Sequence, residues 1–233
     1  MSYDIVIALY NESLDWLNYL TPEQQNNVKL YNKGPSDIGI KLPNVGREGH
    51  TYLTHIIENY DTLPEYCIFL QADPFDHLKK LKPEDMPHLI NDWLSYVKWA
   101  GITPPATLQF TKNYNASYDA RVPYYKGNQF PATMCLGDWI NEFIDDGIGG
   151  VPVKVHPCGM FAVSRDLIRT RPIEYYKRIL NEVSVHNAPE AGHYLERSWH
   201  YIFNAHKHIS LITKLIGSLC IILLLILVCI FFY

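Results

Sequence analysis

The sequence YCIFLQADPFDH at residues 66–77 joins a continuous apolar run to two aspartates and a histidine. An uninterrupted apolar run of this length is typical of a strand that is covered on both faces of a sheet. IVIAL at residues 5–9 repeats the pattern, and VKLY at residues 28–31 predicts a further short strand. Segments with helical spacing separate the three runs. The order β-α-β-α-β therefore predicts an α/β fold with a mostly parallel sheet flanked by helices.

Predicted helices cover residues 11–20, with Asn11 as the N-cap, and residues 51–59, with an apolar stripe that begins at Tyr52. Beyond Asp92 the sequence is irregular, and we expect loops that build a site within the same domain. The most irregular stretches are residues 111–130 and 145–150, and further strands are predicted at residues 151–155 and 161–163. The domain is predicted to close with helices at residues 173–183 and 190–204.

The composition is that of an ordinary globular protein. Of 233 residues, 48% are hydrophobic and 19% charged, which is enough for one sizeable core. The net charge is −4 without any run of like charges, so the basic footprint of a nucleic-acid-binding protein is missing. Cys67, Cys135 and Cys158 are scattered along the domain and predict neither a disulfide framework nor a zinc site. We therefore expect no nucleic-acid partner.

The C-terminal segment differs from the rest of the chain. LIGSLCIILLLILVCIFFY at residues 215–233 is nineteen residues long and carries no charge. As a helix it would span roughly 28 Å, close to the ~30 Å hydrocarbon core of a bilayer. Lys207 and Lys214 precede it, and positive charge favours the cytosolic side. The sequence predicts a globular domain at residues 1–208 that faces the cytosol, and a transmembrane anchor at residues 209–233.

Polar residues follow each of the three predicted parallel strands. Ligands of open α/β sheets bind outside the carboxyl ends of the strands, so these residues are expected to share one rim. They are Tyr10, Asn11 and Glu12 after the first strand, Lys33 after the second, and Asp73, Asp76 and His77 after the third. The last three are ligand types that suit Mn²⁺ or Mg²⁺ held together with a phosphate. The structural alternative is that Asp73 starts a turn and that Asp76 or His77 caps the next helix.

Long motifs of the chain resemble those of the domain-of-unknown-function family numbered 3431. The matching segments are DIVIALYNESLDWL at residues 4–17, VKLYNKG at 28–34, LPNVGREGHTYLTHIIENYDTLPEYCIFLQADPFDH at 42–77, CGMFAVSRDLI at 158–168 and HYLERSWHYIF at 193–203. Members of that family look like small glycosyltransferases of the GT-A type, which use a nucleotide-sugar donor. In this chain Asp73-Pro-Phe-Asp76 stands where GT-A enzymes usually have Asp-any-Asp as the metal motif.

The resemblance implies roles for several residues. Tyr10, Asn11 and Glu12 would hold the nucleotide, although they also suit a simple strand end and helix cap. Arg47 and His50 lie at the start of a predicted helix, whose free N–H groups favour a phosphate. Arg47 has the alternative of a surface pair with Glu48 or Asp61. Gly159 would let the backbone approach the donor sugar, or it simply makes a tight turn.

The last predicted helix carries a second polar constellation. His193, Glu196 and His200 share one face because they are spaced i, i+3 and i+7. In a glycosyltransferase a carboxylate deprotonates the acceptor hydroxyl, a role that suits Glu196, with Asp138 as its rival. His200 would complete the metal shell. The alternative is a solvated helix face with an ordinary Glu196–His200 pair.

Three functions remain open from the sequence. The leading one is a membrane-anchored glycosyltransferase that moves a sugar from a nucleotide-sugar donor to a glycan or protein acceptor. The second is a metal-dependent hydrolase of phosphate or glycosyl esters that uses the same carboxylates with water. The third is a non-catalytic binding module tethered to a membrane.

Overall fold

The computed structural model of the protein describes residues 1–107, 130–144 and 154–203. The first part contains β1 (Tyr3–Leu9), α1 (Pro22–Asn26), β2 (Val28–Asn32), β3 (Ile40–Lys41), α2 (Arg47–Glu58), β4 (Tyr66–Gln71), α3 (Met86–Ala100) and β5 (Ala106–Thr107). The remaining parts contain α4 (Leu136–Phe143), β6 (Lys154–Val155), β7 (Phe161–Ser164), α5 (Arg165–Ile168), α6 (Ile173–Val183) and α7 (Glu190–Ile202). Short 3-10 turns lie at Asp15–Tyr19, Pro74–Asp76, Pro83–Asp85 and Pro157–Gly159.

A five-stranded sheet in the order β3-β2-β1-β4-β7 organises the domain. β1 pairs in parallel with β2 on one side and with β4 on the other, and β3 pairs in parallel with β2. Only β7, at the edge beside β4, runs antiparallel. β5 and β6 form a separate antiparallel pair. The predicted α/β fold with a mostly parallel sheet flanked by helices is confirmed.

The continuous apolar strands are explained by two cores, one on each face of the sheet. Successive side chains of a strand point to opposite faces. In β1, Val6 therefore joins the core beneath α2, α6 and α7, while Ile5 and Ile7 join the core beneath α3. β4 divides in the same way, with Phe69 in the first core and Leu70 in the second. Both strands are thus buried on both faces, as the sequence predicted.

One predicted element is wrong, and two helices were not predicted. Residues 11–20 form no α-helix capped by Asn11; only a 3-10 turn at Asp15–Tyr19 is present, and it has no side-chain cap. The reason is local, because the Glu12 carboxylate takes the N–H groups of Tyr10 and Asn11, which ends the strand in a turn. The expectation of loops beyond Asp92 misses the fifteen-residue helix α3, which ends where Gly101 adopts a left-handed conformation with φ 81°. It also misses α4.

Parts of the sequence-based prediction concern residues that lie outside the described ranges. These are the loop residues 111–129 and 145–150, the start of the predicted strand at residues 151–153, and the whole proposed anchor at residues 209–233. Among the described residues, none of the helices has the length and apolar character needed to cross a bilayer.

Candidate functional site

A cleft of about 200 Å³ opens at the carboxyl ends of the central strands. β1 connects to β2 on one side, whereas β4 lies on its other side, so the strand order reverses between β1 and β4. This reversal is the position at which open α/β sheets bind ligands. The cleft is lined by residues that follow β1 and β2, by the end of β4, by the start of α2 and by the segment before α7: Ala8, Leu9, Tyr10, Glu12, Lys33, Asn44, Arg47, Glu48, Gln71 and Asn187.

Lys33 is the cation at the centre of this cleft. Its ammonium donates hydrogen bonds to the carbonyl oxygens of Val45, at 2.6 Å, and of Arg47. Burial lowers the pKa of Lys33 from 10.5 to about 7, although the neighbouring Glu48 carboxylate opposes the change. A half-buried lysine with a pKa near 7 gains a full charge when an anion binds next to it.

The N-terminus of α2 faces the same cleft. Gly46, the N-cap residue, is left-handed with φ 63° and, as a glycine, provides no side-chain cap, whereas the Glu48 carboxyl group bonds to its own N–H in the first turn. Arg47 follows with φ 49°, a left-handed backbone conformation that costs free energy for residues other than glycine. Arg47 and Lys33 therefore stand beside the first helical N–H groups. Helix N-termini favour anions because these N–H groups and the helix dipole point at the ligand.

The residues after β1 form the opposite wall. Tyr10 is 46% exposed, so its ring is open to solvent on this wall. The Glu12 carboxylate accepts the N–H groups of Tyr10 at 2.8 Å and of Asn11 at 3.1 Å. Glu12 thus shapes the strand end, as one of the sequence-based alternatives held, and it also lines the cleft. Asn11 is exposed and is not among the lining residues.

Gly34 brings the β1 and β2 loops into close contact. A Cβ atom at Gly34 would stand 1.5 Å from the carbonyl oxygen of Tyr10, closer than any real contact. The loop that follows is fixed by Asn32, which is fully buried and whose amide bonds to Ser36 and Ile38. Lys33 is therefore placed in the cleft by a backbone contact that only glycine at position 34 permits.

A turn at Pro157–Gly159 closes the far side of the site. Because β7 runs antiparallel to β4, the segment that precedes β7 lies at the carboxyl end of β4. Gln71 at the end of β4 donates a hydrogen bond of 2.7 Å to the Cys158 carbonyl. Cys158 and Gly159 are both left-handed, with φ 65° and 63°. Arg47 and Cys158 are the only residues other than glycine with positive φ in the described ranges, and both lie at this site.

Glu48 and Glu196 meet at Gly159. A Cβ atom at Gly159 would be 3.7 Å from the Cγ atom of each glutamate. Burial raises the pKa of the Glu48 carboxyl, and the charge of Glu196 raises it further. Burial alone would also raise the pKa of Glu196, but the hydrogen bond from His193 and the charge of Arg197 outweigh burial and hold this pKa below its usual range. The pKa values of these two neighbouring carboxyl groups are therefore shifted in opposite directions, upward for Glu48 and downward for Glu196.

Glu196 is held from several sides. One carboxylate oxygen accepts the Cys158 N–H at 2.9 Å, and the other lies 3.6 Å from both the His193 ring and the Arg197 guanidinium. His193 and His200 are buried, at 4% and 0% exposure, so the alternative of a solvated helix face is wrong. Glu196 pairs with His193 and Arg197. Asp138, the rival base, is exposed on α4 and accepts a 3.4 Å hydrogen bond from the Cys135 thiol.

The predicted metal ligands do not come together as a set. Asp73 accepts the Phe75 N–H at 3.0 Å and so caps a 3-10 turn, which is the structural alternative of the sequence analysis. Asp73, Asp76 and His77 are all exposed, whereas His200 is fully buried with its ring 5.9 Å from that of His156. No group of three or more His, Cys, Asp or Glu side chains in the described ranges is arranged to hold a metal ion. These residues do not form a ready site for Mn²⁺ or Mg²⁺.

The remaining predicted residue, His50, lies one turn into α2 and is 6% exposed. Burial lowers its pKa to about 4, and the charge of Lys33 contributes, so it is neutral at pH 7. Sequence reasoning missed Asn44, Glu48, Gln71, Asn187 and Arg197. One signal pointed to Glu48: it stands four residues before Tyr52 and therefore on the buried face of α2.

The fold and the cleft define the class, which is a mixed α/β protein with a cleft lined by Lys33 and Arg47 at the switch point of a mostly parallel sheet. The chain belongs to the family described as protein of unknown function (DUF3431), whose profile matches residues 5–211. No curated protein matches the chain, and no solved structure does.

Proposed function

We propose that the protein is a membrane-anchored glycosyltransferase of the GT-A type that transfers a sugar from a nucleotide-sugar donor to an acceptor hydroxyl. The observation that carries the proposal is the placement of Lys33 and Arg47 beside the N-terminus of α2, in a cleft at the switch point of the sheet. A diphosphate is the anion that suits two cations and a helix N-terminus together.

The size of the cleft supports a diphosphate as its occupant. At about 200 Å³ it is smaller than the ~300–1,000 Å³ pockets that enclose drug-sized ligands. The diphosphate would lie inside, the base would lie against Tyr10, and the sugar would extend towards Gly159. The sugar would then lie next to the Glu196 carboxylate, since Glu196 meets Gly159.

The chemistry follows from these placements. The acceptor hydroxyl oxygen attacks the anomeric carbon, and its proton goes to Glu196. The bond between the anomeric carbon and the diphosphate oxygen breaks, and the diphosphate leaves with the electron pair. Lys33 and Arg47 stabilise the negative charge that develops on the leaving group. A general base of this kind contributes about 10²- to 10⁴-fold to the rate.

The test is a panel of nucleoside diphosphates and nucleotide-sugars added to the full-length protein, each with and without Mn²⁺. A bound ligand raises the melting temperature, because it binds the folded state alone. We expect one nucleoside diphosphate to raise it, and the matching nucleotide-sugar to be consumed slowly when acceptors are added. Release of free sugar without any acceptor would instead support the hydrolase. If the protein binds no nucleotide, the non-catalytic binding module is the function that remains.

A further inference from the structure

Glu48 is an acidic group that lines the cleft beside its two cations, Lys33 and Arg47. An ionised Glu48 would repel a diphosphate, which would then have to bind next to a negative charge at short range. The cleft therefore binds a diphosphate well only if Glu48 takes up a proton. The same carboxyl group also reaches Gly159, where it meets Glu196.

We propose that Glu48 and Glu196 form an acid–base pair on the two sides of Gly159, in which Glu48 carries the proton and donates a hydrogen bond to a diphosphate oxygen, while Glu196 stays ionised and accepts the acceptor proton. The diphosphate in this inference rests on the proposed function, whereas the location of the proton rests on the geometry of the pair. Two carboxyl groups whose surroundings differ in this way are the usual arrangement of an acid and a base in one site.

The surroundings of the two groups differ as the pair requires. Glu196 has three partners that stabilise a negative charge, namely the Cys158 N–H, His193 and Arg197. Glu48 has no salt bridge in the described part of the chain. Burial and then the charge of Glu196 raise its pKa, and its own N–H, Arg47 and Lys33 offset this only in part. The charged or titratable groups that face Glu48 are Lys33 after β2, Arg47 on its own helix, Glu12 after β1, Cys158 in the turn, and Glu196 on α7. With one proton between the two carboxyl groups, Glu48 is the better place for it.

Tyr52 gives an independent indication that a polar ligand reaches this position. It lies one turn beyond Glu48 on α2, is fully buried, and packs against Phe69, Phe161 and Trp199. Its hydroxyl has no hydrogen-bond partner among the described residues. Burial raises the pKa of Tyr52 well above its usual value, and the charges of both Glu48 and Glu196 add to the effect. A buried hydroxyl without a partner costs about 1–3 kcal/mol, so a bound polar group at this point would relieve it.

The experiment follows the glutamate carboxyl groups directly. Full-length protein carrying carbon-13 at the glutamate carboxyl positions is titrated from pH 8 to pH 4 by NMR, without ligand and again with saturating uridine or guanosine diphosphate. We expect Glu48 to take up its proton at a higher pH than exposed glutamates do, and the diphosphate to raise that pH by at least one unit, which is a tenfold change in the proton's binding constant. Glu48→Gln should remove this signal.

The matched control is Glu182→Gln. Burial also raises the pKa of Glu182, which lies on α6 and does not line the cleft, so its removal should leave the diphosphate-sensitive signal in place. Should Glu48→Gln not fold, Glu48→Asp removes the same glutamate signal and keeps an acid at the position. Glu196→Gln should lower transfer by at least 100-fold and should lower the pH at which Glu48 protonates, since it removes the neighbouring charge.

The outcomes separate this inference from the proposed function. The signal that disappears in Glu48→Gln is that of Glu48. If this signal titrates like an exposed carboxylate, the acid–base pair is refuted, whatever the protein binds. If the early-protonating signal belongs to Glu48 but no nucleoside diphosphate binds or moves it, the proposed function fails and the ligand half of this inference fails with it. A signal that belongs to Glu48 and moves with diphosphate supports both.

Discussion

Replacing Lys33 by methionine should make the protein more stable at pH 7 while weakening its hold on a diphosphate. The pKa of Lys33 falls from 10.5 to about 7 because burial disfavours the charged ammonium. The folded state therefore binds fewer protons than the unfolded state between these two pH values, so stability rises with pH across this range. A buried cation that binds an anionic ligand is expected to lower the stability of the ligand-free protein in this way.

The magnitude follows from the same pKa values. At pH 7 the buried cation costs about 4 kcal/mol of the free energy of unfolding, at 1.36 kcal/mol per pKa unit. Methionine recovers this but loses the hydrogen bonds to the carbonyl oxygens of Val45 and Arg47, at about 1 kcal/mol each. The net gain at pH 7 is about 2 kcal/mol. Removing a charged hydrogen bond to phosphate costs about 1.5–3 kcal/mol, which is about a 10- to 150-fold loss of diphosphate affinity.

The assay is urea unfolding of both proteins at pH 7 and pH 9, beside a nucleoside diphosphate titration at pH 7. The wild-type protein should gain about 2 kcal/mol between the two pH values from this group, so the advantage of the variant should vanish at pH 9. Lys98→Met removes an exposed lysine of α3, beneath the other face of the sheet, and should change neither quantity. A Lys33→Met protein that is less stable at pH 7 and binds diphosphate normally would refute the reasoning.

The remaining predictions concern other parts of the fold. Gly34→Ala should lower the free energy of unfolding by about 3 kcal/mol or more, because the new Cβ atom would stand 1.5 Å from the Tyr10 carbonyl oxygen. At Gly192 on α7 a Cβ atom would meet nothing closer than 3.7 Å, so Gly192→Ala should be neutral or stabilising by up to about 1 kcal/mol. Urea unfolding of the two variants compares them directly. Burial lowers the pKa of His156 to about 3, so the unfolded state binds its proton first and stability falls by about 1.4 kcal/mol per pH unit on acidification from pH 6.5. His156→Phe should reduce this slope in melts between pH 6.5 and pH 4, and an unchanged slope would argue that His156 is already protonated in the folded state. Asp76→Asn should weaken any Mn²⁺-dependent part of diphosphate binding by about 10- to 100-fold if Asp76 is a metal ligand, and equal Mn²⁺ dependence in both proteins would remove it from the site. Deleting residues 215–233 should release the protein from membranes and leave its melting temperature unchanged, and a truncated protein that unfolds would show that this segment belongs to the core.

The sheet and half of the cleft were predictable because their signals are local. The apolar runs at β1, β2 and β4 are continuous in sequence, and the rule for parallel sheets places the residues that follow them on one rim. Tyr10, Glu12 and Lys33 were expected at the cleft on that basis, Arg47 was expected there because it begins a helix, and all four line the cleft. Their role in binding a nucleotide stays a prediction.

The other half of the site depends on contacts that the sequence does not display. Glu48 shares the cleft with Lys33, but its meeting with Glu196 requires the packing of α7 against α2 and the left-handed turn at Cys158 and Gly159. The helical spacing of His193, Glu196 and His200 was visible in the sequence. It did not reveal that Arg197 and the Cys158 N–H would hold the carboxylate, because those partners come from the next residue and from a distant turn.

The reversed direction of β7 also bears on the order in which the protein folds. Lys33 follows β2 and Arg47 begins α2, next to the first parallel strand pairs, which close over short stretches of chain. The turn that carries Gly159 reaches the same rim only after more than a hundred further residues have been synthesised and β7 has docked on β4. Contacts across such long stretches form slowly, since the entropy of closing the loop opposes them. A growing chain would therefore place Lys33 and Arg47 at this rim well before the turn at Gly159 brings Glu48 and Glu196 together.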